Sequence, residues 1–399
     1  MRVTPSLNQS QFLAAIESLQ SNLSQTQNQI TSGLSFTTAS QNPTAAGAVN
    51  NYNQALAQSR QYVTNSSSAQ TRLSIEDSTL SQVQTQLQSL RDLALEANNS
   101  TLSAADRSAI ATQAKQIQAS LATLANTQDG NGEYLFGGFA SQTQPFTLTA
   151  SGATYNGDQG NRVVQIAAGQ TIADGDNGDT VLNQIKTGNG TFVAAASTAN
   201  TGTGVLGATT ASAAAGTYDG GTYSINFTAP GAYEVRDSNN VLVTSGSYRD
   251  GGSISFRGVQ VALNGTPATG DSFTVAPSTN QSVFTTVQNI VTALQTVGGG
   301  TSADTAKLNN ALAAGIDNID QALTGLSNVR ASIGARLNSI TTQQSVAGSQ
   351  QVQLQSSISS LQSLDYASAI TTLNQQNTTL SAALQAYSLT QNLSLFKFL

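Results

Sequence analysis

Glycine is distributed very unevenly along this chain, and its distribution limits what each part can fold into. Residues 1–129 hold 2 of the 34 glycines, residues 301–399 hold 4, and residues 130–300 hold the other 28. A glycine inside a helix costs about 1 kcal/mol relative to alanine, so long helices need stretches that are nearly free of it. The two ends of the chain are therefore suited to long helices, and the middle is suited to strands and turns.

Apolar residues in the two ends recur at alternating intervals of three and four. This spacing places them on one helix face and is typical of the seam of a coiled coil or helix bundle. The pattern therefore predicts helices that bury one stripe each. The five stripes are Phe12, Ile16, Leu19, Leu23, Thr26, Ile30; Leu80, Val83, Leu87, Leu90, Ala94, Ala97; Ile110, Ala114, Ile117, Leu121, Leu124; Leu308, Leu312, Gly315, Ile319, Ala322, Leu326, Val329, Ile333, Arg336, Ile340; and Tyr366, Ile370, Leu373, Asn377, Leu380, Leu384, Tyr387.

The middle of the chain has the two-residue alternation of strands. Residues 233–236 and 241–244 flank a polar turn at 237–240, which predicts a hairpin. Glycine-rich turns at intervals of about 8–12 residues indicate an antiparallel β domain. Residues 197–221 are rich in Ala, Gly and Thr, and we expect a loop or weakly ordered strands there. The residues expected to share a face are Tyr223, Ile225, Phe227; Ile254, Phe256; Val259, Val261, Leu263; and Phe273, Val275.

These patterns predict an α+β protein in which a β domain interrupts a helical part. The N- and C-terminal segments are expected to form a long helical-bundle or coiled-coil rod with an inserted antiparallel β domain. The expected boundaries are an N-terminal assembly helix at 1–45, the N-terminal part of the rod at 46–140, the β domain at 141–280, the C-terminal part of the rod at 281–355 and a C-terminal assembly helix at 356–399.

Composition excludes several classes of function. The chain has no His and no Cys, so zinc sites of the usual ligands and Ser-His-Asp or Cys-His catalysis are ruled out. The formal net charge is −6 with scattered Lys and Arg, which argues against nucleic-acid binding. No run approaches the ~20 apolar residues of a membrane span. The first residues lack the apolar core of a secretory signal peptide. We expect no cofactor, no metal and no enzymatic activity.

The two ends of the chain are almost free of charge. Glu17 is the only charged residue between Val3 and Ser59, and Asp365 and Lys397 are the only ones from residue 341 onwards. Polar neutral flanks allow many copies to crowd together without burying unpaired charge, and such Ser- and Thr-rich helices depend on packing for stability. An ordinary soluble bundle is the alternative explanation. The predicted assembly interface consists of Phe12, Ile16, Leu19, Leu23, Ile30, Ile370, Leu373, Leu380, Leu384 and Tyr387.

Three other patterns favour structural roles. The GxGxxG pattern at 202–207 lacks the strand, helix and acidic residue of a dinucleotide site. The acidic segment 174–179 departs from the EF-hand pattern and is expected to be a turn, although weak cation binding stays open. The carboxylate pairs Glu76–Asp77 and Asp317 with Asp320 fall on helical segments and are expected to lie on solvated faces.

Several motifs, in this order, resemble the flagellin superfamily, and specifically the hook-associated proteins of the hook–filament junction. GNGEYLFGGF at 130–139 follows a long predicted helix, as it does in that family. The other motifs are similar to family segments at both ends and to one β element. They are Ser32-Gly33-Leu34, Asn42-Pro43, Ser255-Phe256-Arg257-Gly258, Gly265-Thr266-Pro267, Gly270-Asp271-Ser272-Phe273, Ser332–Asn338 (SIGARLN), Leu364-Asp365-Tyr366-Ala367 and Leu393-Ser394-Leu395. Residues 141–220 carry little of the resemblance.

The resemblance implies a structural subunit of the bacterial flagellum, exported by the flagellar type III apparatus and located outside the cell. Its implied partners are neighbouring copies of itself in a ring, hook-associated protein 1, flagellin and a flagellar export chaperone, with no nucleic acid and no membrane. Terminal helices from both ends would pair and stack in the assembly.

Two other functions stay open at the level of sequence. One is a flagellin filament subunit, although residues 133–138 and the closing tetrapeptide Phe396–Leu399 fit it less well than a junction protein. The other is an adhesin-like surface protein whose β domain binds a host ligand. An enzyme is the third possibility, and it has no candidate residues.

Overall fold

The computed structural model describes residues 5–99, 102–212, 216–296 and 300–395. It confirms the α+β class, with long helices at both ends and antiparallel strands between them. The α-helices are α1 (Pro5–Ser32), α2 (Pro43–Ala97), α3 (Ala104–Ala125), α4 (Val283–Thr296), α5 (Ser302–Gln362) and α6 (Tyr366–Leu395). The strands are β1 (Phe146–Thr149), β2 (Gly152–Tyr155), β3 (Val163–Ala167), β4 (Gln170–Ala173), β5 (Ile185–Lys186), β6 (Phe192–Ala196), β7 (Val205–Ala211), β8 (Tyr223–Ala229), β9 (Ala232–Asp237), β10 (Leu242–Ser247), β11 (Ser253–Phe256), β12 (Val259–Asn264), β13 (Ser272–Pro277) and β14 (Asn280–Gln281).

The chain divides into two compact units. The terminal unit comprises the residues up to Thr64 together with those from Gln343 onwards, and the central unit runs from Asn65 to Thr342. The long helices α2 and α5 each contribute residues to both units. Among the described residues, no helix is both long and apolar enough to cross a bilayer.

The helical core of the central unit confirms the predicted stripes. Leu80, Leu87, Leu90 and Ala94 of α2 are completely buried, and so are four residues of the stripe predicted for α5. Burying a Leu or Ile side chain contributes about 1.5–3 kcal/mol. This core therefore stabilises helices whose outer faces contain many Ser, Thr and Asn residues, which have modest helix propensity. Its completely buried α5 members are Leu312, Leu326, Ile333 and Ile340.

A second core lies within the β domain. One sheet has five strands in the order β10-β9-β8-β13-β6, and the other has three in the order β11-β12-β7, all antiparallel. The alternating residues predicted to share a face are all buried in it, and the 237–240 turn joins β9 to β10 as a hairpin. Strand β7 lies in the 197–221 segment, where the sequence predicts a loop or weakly ordered strands, and its backbone pairs with β12 from Val205 to Ala211.

The first strands belong with the helices. Phe146 of β1, together with Val181, Leu182 and Ile185, is buried in the same core as α2 to α5. None of the residues that the structure describes between Ile185 and Val283 belongs to that helical core. Strands β5 and β14 pair where the chain enters and leaves the β domain, and the amide of Thr187 donates to the Thr279 carbonyl at 3.0 Å. Strands β6 to β13, from Phe192 to Pro277, thus form an inserted part of the chain, which we call the β module. We call the β5–β14 pair at its two connections the neck.

Helix ends in the terminal unit follow local capping rules. The Asn42 side chain accepts from the Ala45 amide at 3.1 Å, and Pro43 starts α2 at the position where a proline loses no hydrogen bond. Asp365 caps α6 in the same way, accepting from the Ala367 amide at 3.0 Å. Its negative charge lies at the positive end of the helix dipole. This accounts for a lone carboxylate in an otherwise uncharged segment.

Candidate assembly interface

The turn after α1 ties the two terminal helices together. Gly33 ends α1 with φ +71°, a left-handed conformation that favours glycine. Its carbonyl accepts from the Leu364 amide at 3.0 Å, and the Ser35 amide donates to the Gln362 carbonyl at 2.7 Å. A Cβ on Gly33 would also lie 2.9 Å from the hydroxyl of Tyr366. The Ser-Gly-Leu motif therefore places α1 beside the start of α6.

Helices α1 and α6 pack antiparallel from that turn. At the far end, the rings of Phe12 and Tyr387 stack with centroids 6.0 Å apart, and the Gln9 amide donates to the Tyr387 hydroxyl at 3.4 Å. The contact contains no ion pair among the described residues, in keeping with the uncharged composition of both helices. Its stability therefore comes from apolar burial and ring stacking.

The predicted α1 stripe is the least exposed side of that helix. Ile16 is buried, and Phe12, Leu19, Leu23 and Ile30 are half-buried. Thr26, which also belongs to the predicted stripe, is buried, and most positions outside the stripe are exposed, with Leu13 keeping 43% of its surface. The spacing thus identified the face of α1 that packs within the chain.

The predicted α6 stripe is divided between two faces. Leu373, Leu380 and Tyr387 are half-buried, whereas Ile370 and Leu384 keep 47% and 45% of their surface exposed. The less exposed face of α6 runs along Ala369, Leu373, Gln376, Leu380, Ala383 and Tyr387. A neighbouring strip of Tyr366, Ile370 and Leu384 stays on the surface. We call these three residues the outer strip of α6.

The terminal unit has an incomplete core. Its least exposed apolar residues among those described, Ala347 and Val49, still keep 4% and 5% of their surface. The central unit has many residues at 0%. The terminal unit therefore packs its apolar residues less completely than the central unit does. The large apolar side chains that the terminal unit leaves exposed are Leu7, Leu13, Val346, Val352, Tyr366, Ile370, Leu384 and Leu389.

The glycine-rich pattern at 202–207 is part of the β domain's packing. The Asp271 carboxylate accepts from the amides of Thr201 and Gly202, at 2.8 and 3.0 Å. A Cβ on Gly202 would lie 2.3 Å from the Ala268 amide nitrogen, and strand β7 begins at Val205. No helix follows, so this segment lacks the helix N-terminus of a dinucleotide site.

The acidic segment 174–179 pairs with arginines. Asp174 lies 3.2 Å from Arg162, and Asp176 contacts Arg336. Asp179 accepts from amide side chains, including that of Gln159 at 2.8 Å. Within the described residues, no group of three carboxylates is placed to hold a metal ion. Residues 174–177 have no regular secondary structure, and a short π-helical turn runs from Asp179 to Asn183, so most of the turn lies after the segment where it was predicted.

One of the carboxylate predictions is wrong. Asp77 and Asp320 are partly exposed, and each pairs with an arginine of a neighbouring helix. Glu76, however, is completely buried. It lies four residues before Leu80 on the same seam, so extending the α2 stripe backwards would have placed it inside. The spacing of Glu76 from Leu80 predicts a buried position, whereas its charge alone would predict an exposed one.

The GEYLFGG segment is held by a buried arginine of α2. Arg72 donates to Asp129 at 2.6 Å and to the Tyr134 carbonyl at 3.0 Å. Its guanidinium also approaches Glu133, and the Phe136 ring is completely buried. These contacts tie the segment after α3 to α2. The motif is therefore a structural element of the central unit.

Three family models match separate parts of this chain. The model for the bacterial flagellin N-terminal helical region matches residues 4–141, and that for the C-terminal helical region matches residues 316–399. A third model, for the D2-like domain of flagellar hook-associated protein 1, matches residues 195–277. The first two cover the helical ends, and the third covers the β module.

Individual relatives narrow the family. Flagellar hook-associated protein 3 of Salmonella typhimurium is 32% identical over 185 residues, which cover 46% of this chain and 58% of that relative's length. The crystal structure of FlgL from Xanthomonas campestris is 37% identical, with a TM-score of 0.73, and the match covers 77% of this chain and 99% of that one. Hook-associated protein 3 of Legionella pneumophila is 29% identical with a TM-score of 0.74, over 78% and 98% of the two chains. The chain therefore belongs to the flagellar hook-associated protein 3 (FlgL) family of the flagellin superfamily.

Proposed function

We propose that this chain is the structural adaptor that joins the flagellar hook to the flagellin filament. The observation that carries the proposal is the incomplete core of the terminal unit. Its helices leave the outer strip of α6 and the side chains of Leu7 and Leu13 exposed. Large apolar side chains left exposed on two helices that pack together favour a protein–protein contact there.

The partners in this proposal are proteins that carry similar terminal helices. Copies of the chain stand side by side in a ring, with hook-associated protein 1 on the hook side and flagellin on the filament side. The Salmonella and Legionella relatives are named hook-associated proteins, and one Legionella structure is titled a flagellar junction protein. Because the terminal helices carry so little charge, stacking them buries few unpaired charges.

The proposed route to the site of assembly is export as an unfolded chain. The terminal helices are rich in Ser, Thr and Asn, which are weaker helix formers than Ala, so we expect them to be marginal alone and to depend on packing. In this proposal, an export chaperone covers the C-terminal segment until it leaves the cell. Helices α1 and α6 then pair as the exported chain folds, and the apolar side chains that they leave exposed contact neighbouring subunits.

Deletion of the gene tests the adaptor function directly. We expect cells that make hooks but carry no filaments, with monomeric flagellin released into the medium, and a plasmid copy should restore filaments. Electron microscopy and an immunoblot of the culture medium provide the readouts. Hooks with no flagellin in the medium would instead indicate a filament subunit, and normal filaments together with lost attachment to host cells would indicate an adhesin.

A further inference from the structure

A buried carboxyl group lies where α2 meets two other segments of the central unit. Glu76 is completely buried at a seam position of α2, and its Oε1 accepts from the Asp176 amide at 3.2 Å. Its Oε2 has no hydrogen-bond partner among the described residues. An uncompensated buried carboxylate is costly, because the protein interior solvates charge poorly.

The ion pairs in this part of the central unit contain four carboxylates but only three arginines. The carboxylates are Asp129, Glu133, Asp174 and Asp176, and the cations are Arg72, Arg162 and Arg336. Each of these four carboxylates pairs with a terminal guanidinium nitrogen of one of the arginines, and the Nε atoms of Arg72 and Arg336 have no hydrogen-bond partner among the described residues. Among the described residues, Glu76 has no cation within 4 Å.

We propose that Glu76 is protonated in the folded protein at neutral pH. Its deprotonation at alkaline pH weakens the contacts among α2, the 174–179 segment and α5. The neutral acid removes the unpaired charge from the core. It also leaves the Asp176 carboxylate free to pair with Arg336, which donates to the Ala173 carbonyl at 3.3 Å as well. The contacts among these three segments of the chain therefore depend on the protonation of Glu76.

The electrostatics of the site agree with this geometry. Burial and the neighbouring Asp176 carboxylate raise the pKa of Glu76 well above its usual value, and Arg336 opposes them only in part. The folded chain then binds a proton that the unfolded chain releases near the ordinary Glu pKa. Stability from this group is fully present below the unfolded pKa and is lost as pH rises through the folded pKa.

The test is the pH dependence of unfolding in the full chain. For the natural protein, we expect the midpoint of urea unfolding of the central unit to fall as the pH rises from about 5 to about 9. Glu76→Gln keeps the shape and supplies a neutral group, so its profile should be nearly flat over this range. Exposed Glu96 lies on the same helix, and Glu96→Gln should follow the natural profile.

A spectroscopic measurement separates protonation from packing. Infrared spectra at neutral pH should show the carbonyl stretch of a protonated carboxyl group in the natural protein and in Glu96→Gln, but not in Glu76→Gln. Absence of that band from the natural protein would overturn the proposal even if Glu76→Gln failed to fold. A pH profile of Glu76→Gln parallel to the natural one would overturn it as well.

Discussion

At the scale of single residues, arginines in the central unit connect loops to helices through ion pairs and hydrogen bonds. Arg72 keeps only 6% of its side chain exposed, and it binds a carboxylate and backbone carbonyls at the same time. A planar guanidinium can satisfy several acceptors in a fixed geometry, which a lysine ammonium cannot do. The family motif at residues 132–138 therefore depends on a residue about 60 positions earlier.

We expect Arg72→Lys to destabilise the central unit by about 3 kcal/mol, since hydrogen bonds to charged groups contribute about 1.5–3 kcal/mol each. Urea unfolding and hydrogen exchange of the Tyr134–Phe136 amides measure the effect. Arg60→Lys is the matched control, because Arg60 is exposed on the same helix and its replacement should be neutral. Equal stability of the two variants would contradict this role for Arg72.

At the scale of helices, α6 has two apolar faces with different surroundings. Leu380 lies on the half-buried face, whereas Leu384 lies on the outer strip. Substitutions on the two faces therefore separate packing within the chain from assembly between chains.

We expect Leu384→Asp to leave the helical content and stability of the subunit unchanged but to abolish filament attachment. Leu380→Asp should in addition cost about 1–2 kcal/mol, because a half-buried Leu loses part of its burial energy. The double variant combines both defects. Circular dichroism measures folding, and filament counts by electron microscopy measure attachment.

Gln375→Asp is the control for added charge on α6. Gln375 is exposed and precedes Leu384 by nine residues, which places it on the opposite side of the helix at about 100° per residue. Normal filaments are expected on this variant. Normal filaments on Leu384→Asp would show that the outer strip is not an assembly surface.

At the scale of the whole molecule, the β module is inserted into a helical protein that does not need it for its core. The neck at β5 and β14 brings the two connections side by side. On α5, the Asn310 side chain accepts from the Leu206 amide at 2.8 Å and donates to the Gly204 carbonyl at 3.0 Å. The contact between the module and α5 is thus polar, and water can replace it.

We expect replacement of residues 188–278 by a short glycine-containing turn to leave the central helices folded. Their unfolding midpoint should stay within about 0.5 kcal/mol of the intact protein, which is typical of changes outside a core. Circular dichroism and urea unfolding provide the measurement. An unfolded product would show instead that the module belongs to the folding unit of the helices.

Much of this architecture follows from the sequence because its signals are local. Low glycine content and 3–4 spacing determined the helices, and two-residue alternation determined the strands of the β core. Both patterns reflect how side chains project from a regular backbone, so they need no knowledge of distant residues. The absence of His and Cys likewise excluded several chemistries without a structure.

Only the tertiary structure decided which apolar residues face inward and where the charges lie. Helix α6 is apolar over a wide arc, and the position of α1 selected Leu380 for the inner face and left Leu384 outside. Glu76 and Arg336 both occupy seam positions, and their environment depends on a segment that lies 100 residues after Glu76 and 160 residues before Arg336. Burial and ion pairing are properties of the assembled core, because they depend on groups brought together from distant parts of the chain.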